Sequence, residues 1–133
     1  MMTNEQLQAF YYRYIEAANA RDFDTIAELI HDEVTIGGVS YKREDVLAAL
    51  KGITDAVPDF VWHVEDLFTQ DDRIAARLRD TGTPKQNWLG LEPTGASVEF
   101  TEFASYRVRD GRFAEMWFLL DYQTVAQQLA SAR

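Results

Sequence analysis

Two periodicities divide the chain. Through Val57 apolar side chains recur at every third or fourth position, and from Phe60 onward they alternate with polar ones. These spacings predict helices first and strands after. Thr3 or Asn4 caps a first helix, which carries Leu7, Phe10, Tyr11, Tyr14, Ile15 and Ala18 on one face and runs to about Ala20. Arg21-Asp22 interrupts the pattern, and a short second helix capped by Asp22 follows with Phe23, Ile26, Ala27, Leu29 and Ile30. His31-Asp32-Glu33 reads as a turn and Val34 to Ile36 as a brief strand stopped by Gly37-Gly38. Tyr41-Lys42-Arg43 opens a third helix with Val46, Leu47, Leu50, Ile53 and Val57 on one side, ended by Pro58.

The alternating half begins with Phe60, Trp62, Val64, Leu67 and Phe68, and Gln70-Asp71-Asp72 supplies a hairpin turn. His63 takes the parity opposite to Trp62, which suits a rim or interface. The next strand sets Ile74, Ala76 and Leu78 against Arg73, Arg77 and Arg79, and Asp80 continues the apolar side. Thr81 to Gly95 is a loop rich in Gly and Pro, whose apolar residues Trp88 and Leu89 suit it to fold down as a cover. A long strand, an Asp110-Gly111 turn and a second strand ending at Asp121 follow, and Tyr122 to Ala132 has the spacing of a tail helix. Helices ahead of antiparallel strands make an α+β plan, with helices covering one face of a curved sheet. Residues 1–133 contain no repeat or linker and read as a single domain.

Composition narrows the function. The chain is 47% hydrophobic and 13% aromatic, enough to line an apolar cavity. Its net charge of −9, with no Lys/Arg cluster, repels phosphate backbones, so nucleic acid is not an expected partner. The absence of cysteine excludes thiolate chemistry and Cys-ligated zinc, a histidine-rich metal site is hard to assemble from His31 and His63 alone, and carboxylates, phenols or amides are expected to carry any reaction. The first residues lack the basic and apolar regions of a signal peptide, and no apolar run reaches membrane-spanning length. A cytoplasmic protein without membrane contact is expected.

Several short motifs then fall into register. Asn19-Ala20-Arg21-Asp22, Asp32-Glu33-Val34, Pro58-Asp59-Phe60, Thr81-Gly82-Thr83, Gly90 to Gly95, Tyr106-Arg107-Val108, Asp110-Gly111 and Glu115-x-Trp117 resemble, in order and spacing, the SnoaL-like polyketide cyclases of the nuclear transport factor 2-like superfamily. The resemblance covers nearly the whole chain. It implies a cone-shaped curved antiparallel sheet covered by N-terminal helices, open to a hydrophobic small molecule, commonly in a homodimer, with no metal or organic cofactor. In those cyclases an acid on the last strand and a histidine on the strand before it perform an intramolecular aldol closure. Those positions are Phe118 and Ala104 here, and the histidine often found after Thr-Gly-Thr is Pro84. The related ketosteroid isomerases place an oxyanion-binding tyrosine on the first helix, which matches Tyr14. Their base falls on Gly38 and their second donor on Ala104. The Arg-x-Asp step that limonene epoxide hydrolases carry on one strand is not found in the expected strands.

If Ala104 and Phe118 face the pocket, alternation turns Phe100, Glu102 and Tyr106 inward with them, and Met116 and Leu120 on the last strand. Glu102 is then a carboxylate among aromatic and aliphatic walls, and Asp80 is a second by parity; pairing with Arg77, Arg79 or Arg107 is the alternative for both. The expected catalytic residues are Tyr14, Glu102 and Asp80, with Trp62, Trp88, Phe100, Ala104, Tyr106, Met116 and Phe118 as ligand contacts. Phe103, Trp117 and Leu119 fall on the opposite face, where a second sheet packing back to back gives a homodimer. The expected function is cofactor-independent acid–base catalysis, of cyclase, isomerase or dehydratase type, on a hydrophobic carbonyl-bearing molecule. A non-catalytic binding protein that has lost the usual acid and histidine is the alternative.

Overall fold

The computed structural model describes residues 1–131, so the far end of the expected tail helix, Ala132, lies outside the described residues. The first helix, α1 (Asn4–Ala20), starts where Thr3 accepts from the Gln6 backbone and the Gln6 side chain accepts from the Thr3 backbone, a reciprocal cap that leaves Asn4 inside the helix. It ends because Arg21 turns left-handed, with its N–H donating to the Ala17 and Ala18 carbonyls. Asp22 caps α2 (Phe23–Glu28) through the Thr25 backbone.

Two differences from the expected pattern follow. Leu29 and Ile30 do not extend α2, because β1 (Ile30–Ile36) starts there and takes in His31, whose Nε2 meets the Arg109 carbonyl. Gly37-Gly38 is a hairpin turn leading to β2 (Val39–Lys42), and both glycines have positive φ. β2, a four-residue edge strand exposed along its length, carries no buried face for a pattern to reveal. Helix α3 (Arg43–Ala56) therefore opens two residues later than Tyr41.

Strands β3 (Val61–Gln70), β4 (Arg73–Gly82), β5 (Val98–Arg109) and β6 (Arg112–Leu120) form an antiparallel meander, and β1 adds in parallel to β6. The order across the six-stranded sheet is β2-β1-β6-β5-β4-β3. A bulge between Val64 and Asp66 shifts the parity of β3, which leaves Phe68 exposed on the outer face. Helix α4 (Tyr122–Ala130) is capped by Asp121, which accepts from Thr124. No helix among the described residues is long and apolar enough to cross a membrane.

The core lies between the concave face of the sheet and the helices. Asn19 at the end of α1 pairs with both backbone polar groups of Trp62, at 2.9 Å each, as a neighbouring strand would. Arg21 donates to the Pro58 and Phe60 carbonyls at 2.9 and 2.8 Å, and Asp59 accepts from the Thr83 backbone at 2.7 Å. These three side chains lock the end of α1, the α3–β3 turn and the end of β4 together. Gly82 sits where they meet: a methyl group there would lie 2.5 Å from Val57 and 3.3 Å from the Phe60 backbone.

Candidate active site

The concave face of the sheet encloses a cavity of about 290 Å³. Tyr11, Tyr14, Ile15 and Ala18 of α1 form one wall, and Val46, Ala49, Leu50 and Ile53 of α3 form the facing one. Leu78, Glu102, Tyr106, Phe118 and Leu120 of the sheet make the floor, with Phe60, Trp62, Trp88 and Leu89 closing one side. Trp88 is held by ring contacts to Phe60 at 5.8 Å and Phe100 at 5.7 Å, and Phe60 packs at a tilt on Trp62 at 4.4 Å.

The polar groups gather at one end. Tyr11 and Tyr106 share a hydrogen bond at 3.3 Å, while the Tyr14 hydroxyl has no protein partner among the described residues. Burial pushes all three phenols above the ordinary range, and the Glu102 charge pushes Tyr14 further, so each is a neutral donor. Glu102 is the one carboxylate of the wall.

Behind it lies Asp80. Leu78 pairs with Glu102 across β4 and β5, and Asp80 pairs with Phe100, so the two acids are diagonal neighbours on the same face. They are the buried charged residues of the described chain, Asp80 at 0% and Glu102 at 6% exposure. Neither Asp80 oxygen meets a hydrogen-bond donor. What the Asp80 carboxyl reaches is the Glu102 carboxyl, and that contact becomes a hydrogen bond only when the pair holds a proton. Burial, followed by the bond to Glu102, raises Asp80 strongly. Burial also raises Glu102, while accepting from Asp80 lowers it. Burial disfavours two charges side by side, so the pair holds a proton between its carboxyls, and Glu102 is the member that faces the cavity. The arginines are elsewhere: Arg79 pairs with Glu65 and Glu99, and Arg107 with Asp72, so neither acid is neutralised by a cation.

Of the residues expected from the sequence, the wall brings together Tyr14, Glu102, Trp62, Trp88, Tyr106 and Phe118. Asp80, Phe100, Ala104 and Met116 face the same way but lie beneath the surface of the cavity. Tyr11, which shares the apolar face of the first helix with Tyr14, is also part of the wall, as is the inner face of α3. His63 stays away from the cavity and meets the Thr81 hydroxyl at 3.3 Å. No group of three His, Asp or Glu side chains suited to a metal is present among the described residues.

A curved sheet wrapped around a mostly apolar cavity, with hydroxyl and carboxyl groups among its lining, has the nuclear transport factor 2-like fold. Within it, the chain belongs to the SnoaL-like polyketide cyclase family, whose model matches residues 8–129. Among solved structures it is similar to IdmH of Streptomyces antibioticus, with 30% identity, 94% of this chain and 99% of that one covered, and a TM-score of 0.84. It is also similar to a SnoaL-like polyketide cyclase from Agrobacterium tumefaciens, with 27% identity, coverage of 97% and 99%, and a TM-score of 0.88. TsrD of Streptomyces laurentii, at 22% identity, coverage of 98% and 99% and a TM-score of 0.89, shares the fold. A comparison with curated proteins yields no match.

Proposed function

We propose that this family member is a cofactor-independent acid–base enzyme, of cyclase, isomerase or dehydratase type, acting on a hydrophobic carbonyl-bearing molecule of polyketide kind. The observation that carries the reading is Glu102, a buried carboxyl on the cavity wall, backed by the second buried acid Asp80 and sharing the cavity with the unpartnered Tyr14 hydroxyl. Tyr14 donates to the substrate carbonyl oxygen. Glu102 takes the proton from the adjacent carbon, and the electron pair moves onto that oxygen, where the phenol stabilises the enolate. The enolate then attacks a second carbonyl or shifts its double bond. Glu102 returns the proton to the new alkoxide or carbon, so no proton is gained or lost overall. Asp80, out of reach of substrate, keeps Glu102 oriented and ionised.

The single domain acts, in this reading, as a cytoplasmic homodimer. Phe103, Trp117 and Leu119 leave an apolar outer face, 48–72% exposed, for a second copy to cover. The alternative, a binding protein without turnover, is favoured by the hydrocarbon of Ala104 and Phe118 where the cyclases carry their histidine and acid. Kinetics on aromatic polyketide-like ketones separate the two. Glu102→Gln is expected to abolish turnover while ligand binding persists, and Tyr14→Phe to slow it about 100-fold. Turnover undiminished in Glu102→Gln overturns the assignment of the base; tight binding with no turnover in the parent favours the binding protein.

A further inference from the structure

Three residues of the cavity wall are exposed to solvent, Ala49, Leu89 and Phe118, and they mark its mouth. One of them is held in an unusual way. Trp88 and Leu91 exchange both backbone hydrogen bonds, at 3.0 and 2.9 Å, around a two-residue turn of Leu89 and Gly90. Both central residues have positive φ, 55° and 73°, as the tightest hairpin turn requires. Glycine and asparagine enter that region easily, whereas a leucine there is strained.

The strain is held by anchors on either side. Trp88 is buried against Phe60 and Phe100, and the Lys85 and Gln86 backbone groups donate to the Ala56 carbonyl at the end of α3. Neither anchor calls for a leucine between Trp88 and Gly90, and the side chain is 39% exposed, so burial does not account for it either. What it touches is the cavity entrance.

We infer that Leu89 is the gate residue of the cavity, a side chain displayed on a strained turn that governs which molecules enter and how fast. The inference rests on the cavity being the ligand site. The turn is too short to swing as a lid, and Trp88 fixes it. Entry therefore depends on rotation of one leucine side chain between Ala49 and Phe118. Narrow, flat, neutral molecules pass; branched ones wait for that rotation.

The test uses the full chain and the neutral fluorescent aryl ketone prodan, its association followed in stopped flow by energy transfer from tryptophan. In Leu89→Gly and Leu89→Asn the turn is relaxed and the mouth is open. Both variants are expected to melt higher than the parent by about 3 °C. Prodan association and dissociation are expected to accelerate together by about tenfold, with affinity little changed. An association rate that stays at the parent value in both variants overturns the gate, even where dissociation alone has risen, since Leu89 is then simply wall. Leu89→Gly placed in a Glu102→Gln background separates this from the catalytic reading, because it is expected to accelerate prodan association by the same factor whether or not turnover is lost. Absence of prodan binding to the parent, with turnover of a ketone intact, also overturns the gate as drawn.

Discussion

Replacing Asp80 with asparagine is expected to stabilise the protein at neutral pH, and the size of the effect follows from the site. A free aspartate releases its proton at about pH 4, whereas Asp80 is fully buried, meets no donor and holds its proton well above that range. Between the two values the folded chain binds a proton that the unfolded chain does not, so stability falls as pH rises. The slope is about 1.4 kcal/mol per pH unit, or roughly 4 kcal/mol between pH 4 and pH 7. Asparagine is nearly isosteric, carries no proton to retain, and donates to Glu102 through its amide. Allowing for one amide hydrogen left without a partner, Asp80→Asn gains about 2–4 kcal/mol at pH 7, or roughly 6–15 °C in Tm for a domain of this size. Thermal and urea unfolding followed by circular dichroism across pH 4 to pH 8 measure it. The gain must shrink toward zero at the acid end, where aspartate is protonated in both states. A variant no more stable than the parent at pH 7, or a gain independent of pH, refutes the shared proton. Turnover in the same variant is expected to fall, because the amide does not keep Glu102 poised as the carboxyl does.

Two further outcomes are expected. Gly82→Ala forces a methyl group to 2.5 Å from Val57, and such overpacking costs about 1–3 kcal/mol, read as a lower Tm; a Tm equal to the parent's contradicts the close approach of β4 to the α3–β3 turn. Sedimentation at micromolar concentration is expected to give twice the 15.3 kDa chain mass, and Trp117→Arg, which places a charge on the outer apolar face, a single chain; a monomeric parent removes the homodimer.

The sheet was legible where one face is buried and the other wet. The alternation of β5 is unbroken, so Phe100, Glu102, Ala104 and Tyr106 turn inward as their parity requires. β2 was illegible because four exposed residues, with Val39 and Tyr41 the only apolar ones, are too few to set a period. Leu29-Ile30 was ambiguous because a short apolar run fits the end of a helix as well as the start of a strand. The acid pair was half legible: parity put both carboxyls on one face, but the diagonal register that brings them together belongs to the pairing of β4 with β5, which neither strand encodes alone. The α3 wall of the cavity was hidden for a related reason. Apolar spacing shows that a helix has a buried side, and does not show whether that side meets side chains or empty space.

The cavity draws its two ends from different parts of the chain. Tyr14, Glu102 and Asp80 belong to α1, β5 and β4, and Asn19 and Arg21 tie the end of α1 to the start of β3, whereas the far wall and most of the mouth come from α3 and the turn at Leu89. Chemistry and recognition are thus separately editable. Substitutions at Val46, Ala49, Leu50, Ile53 or Leu89 can reshape what is accepted without moving the proton-handling groups, which makes residues 43–56 and 88–91 the natural ground for recruiting this scaffold to new substrates.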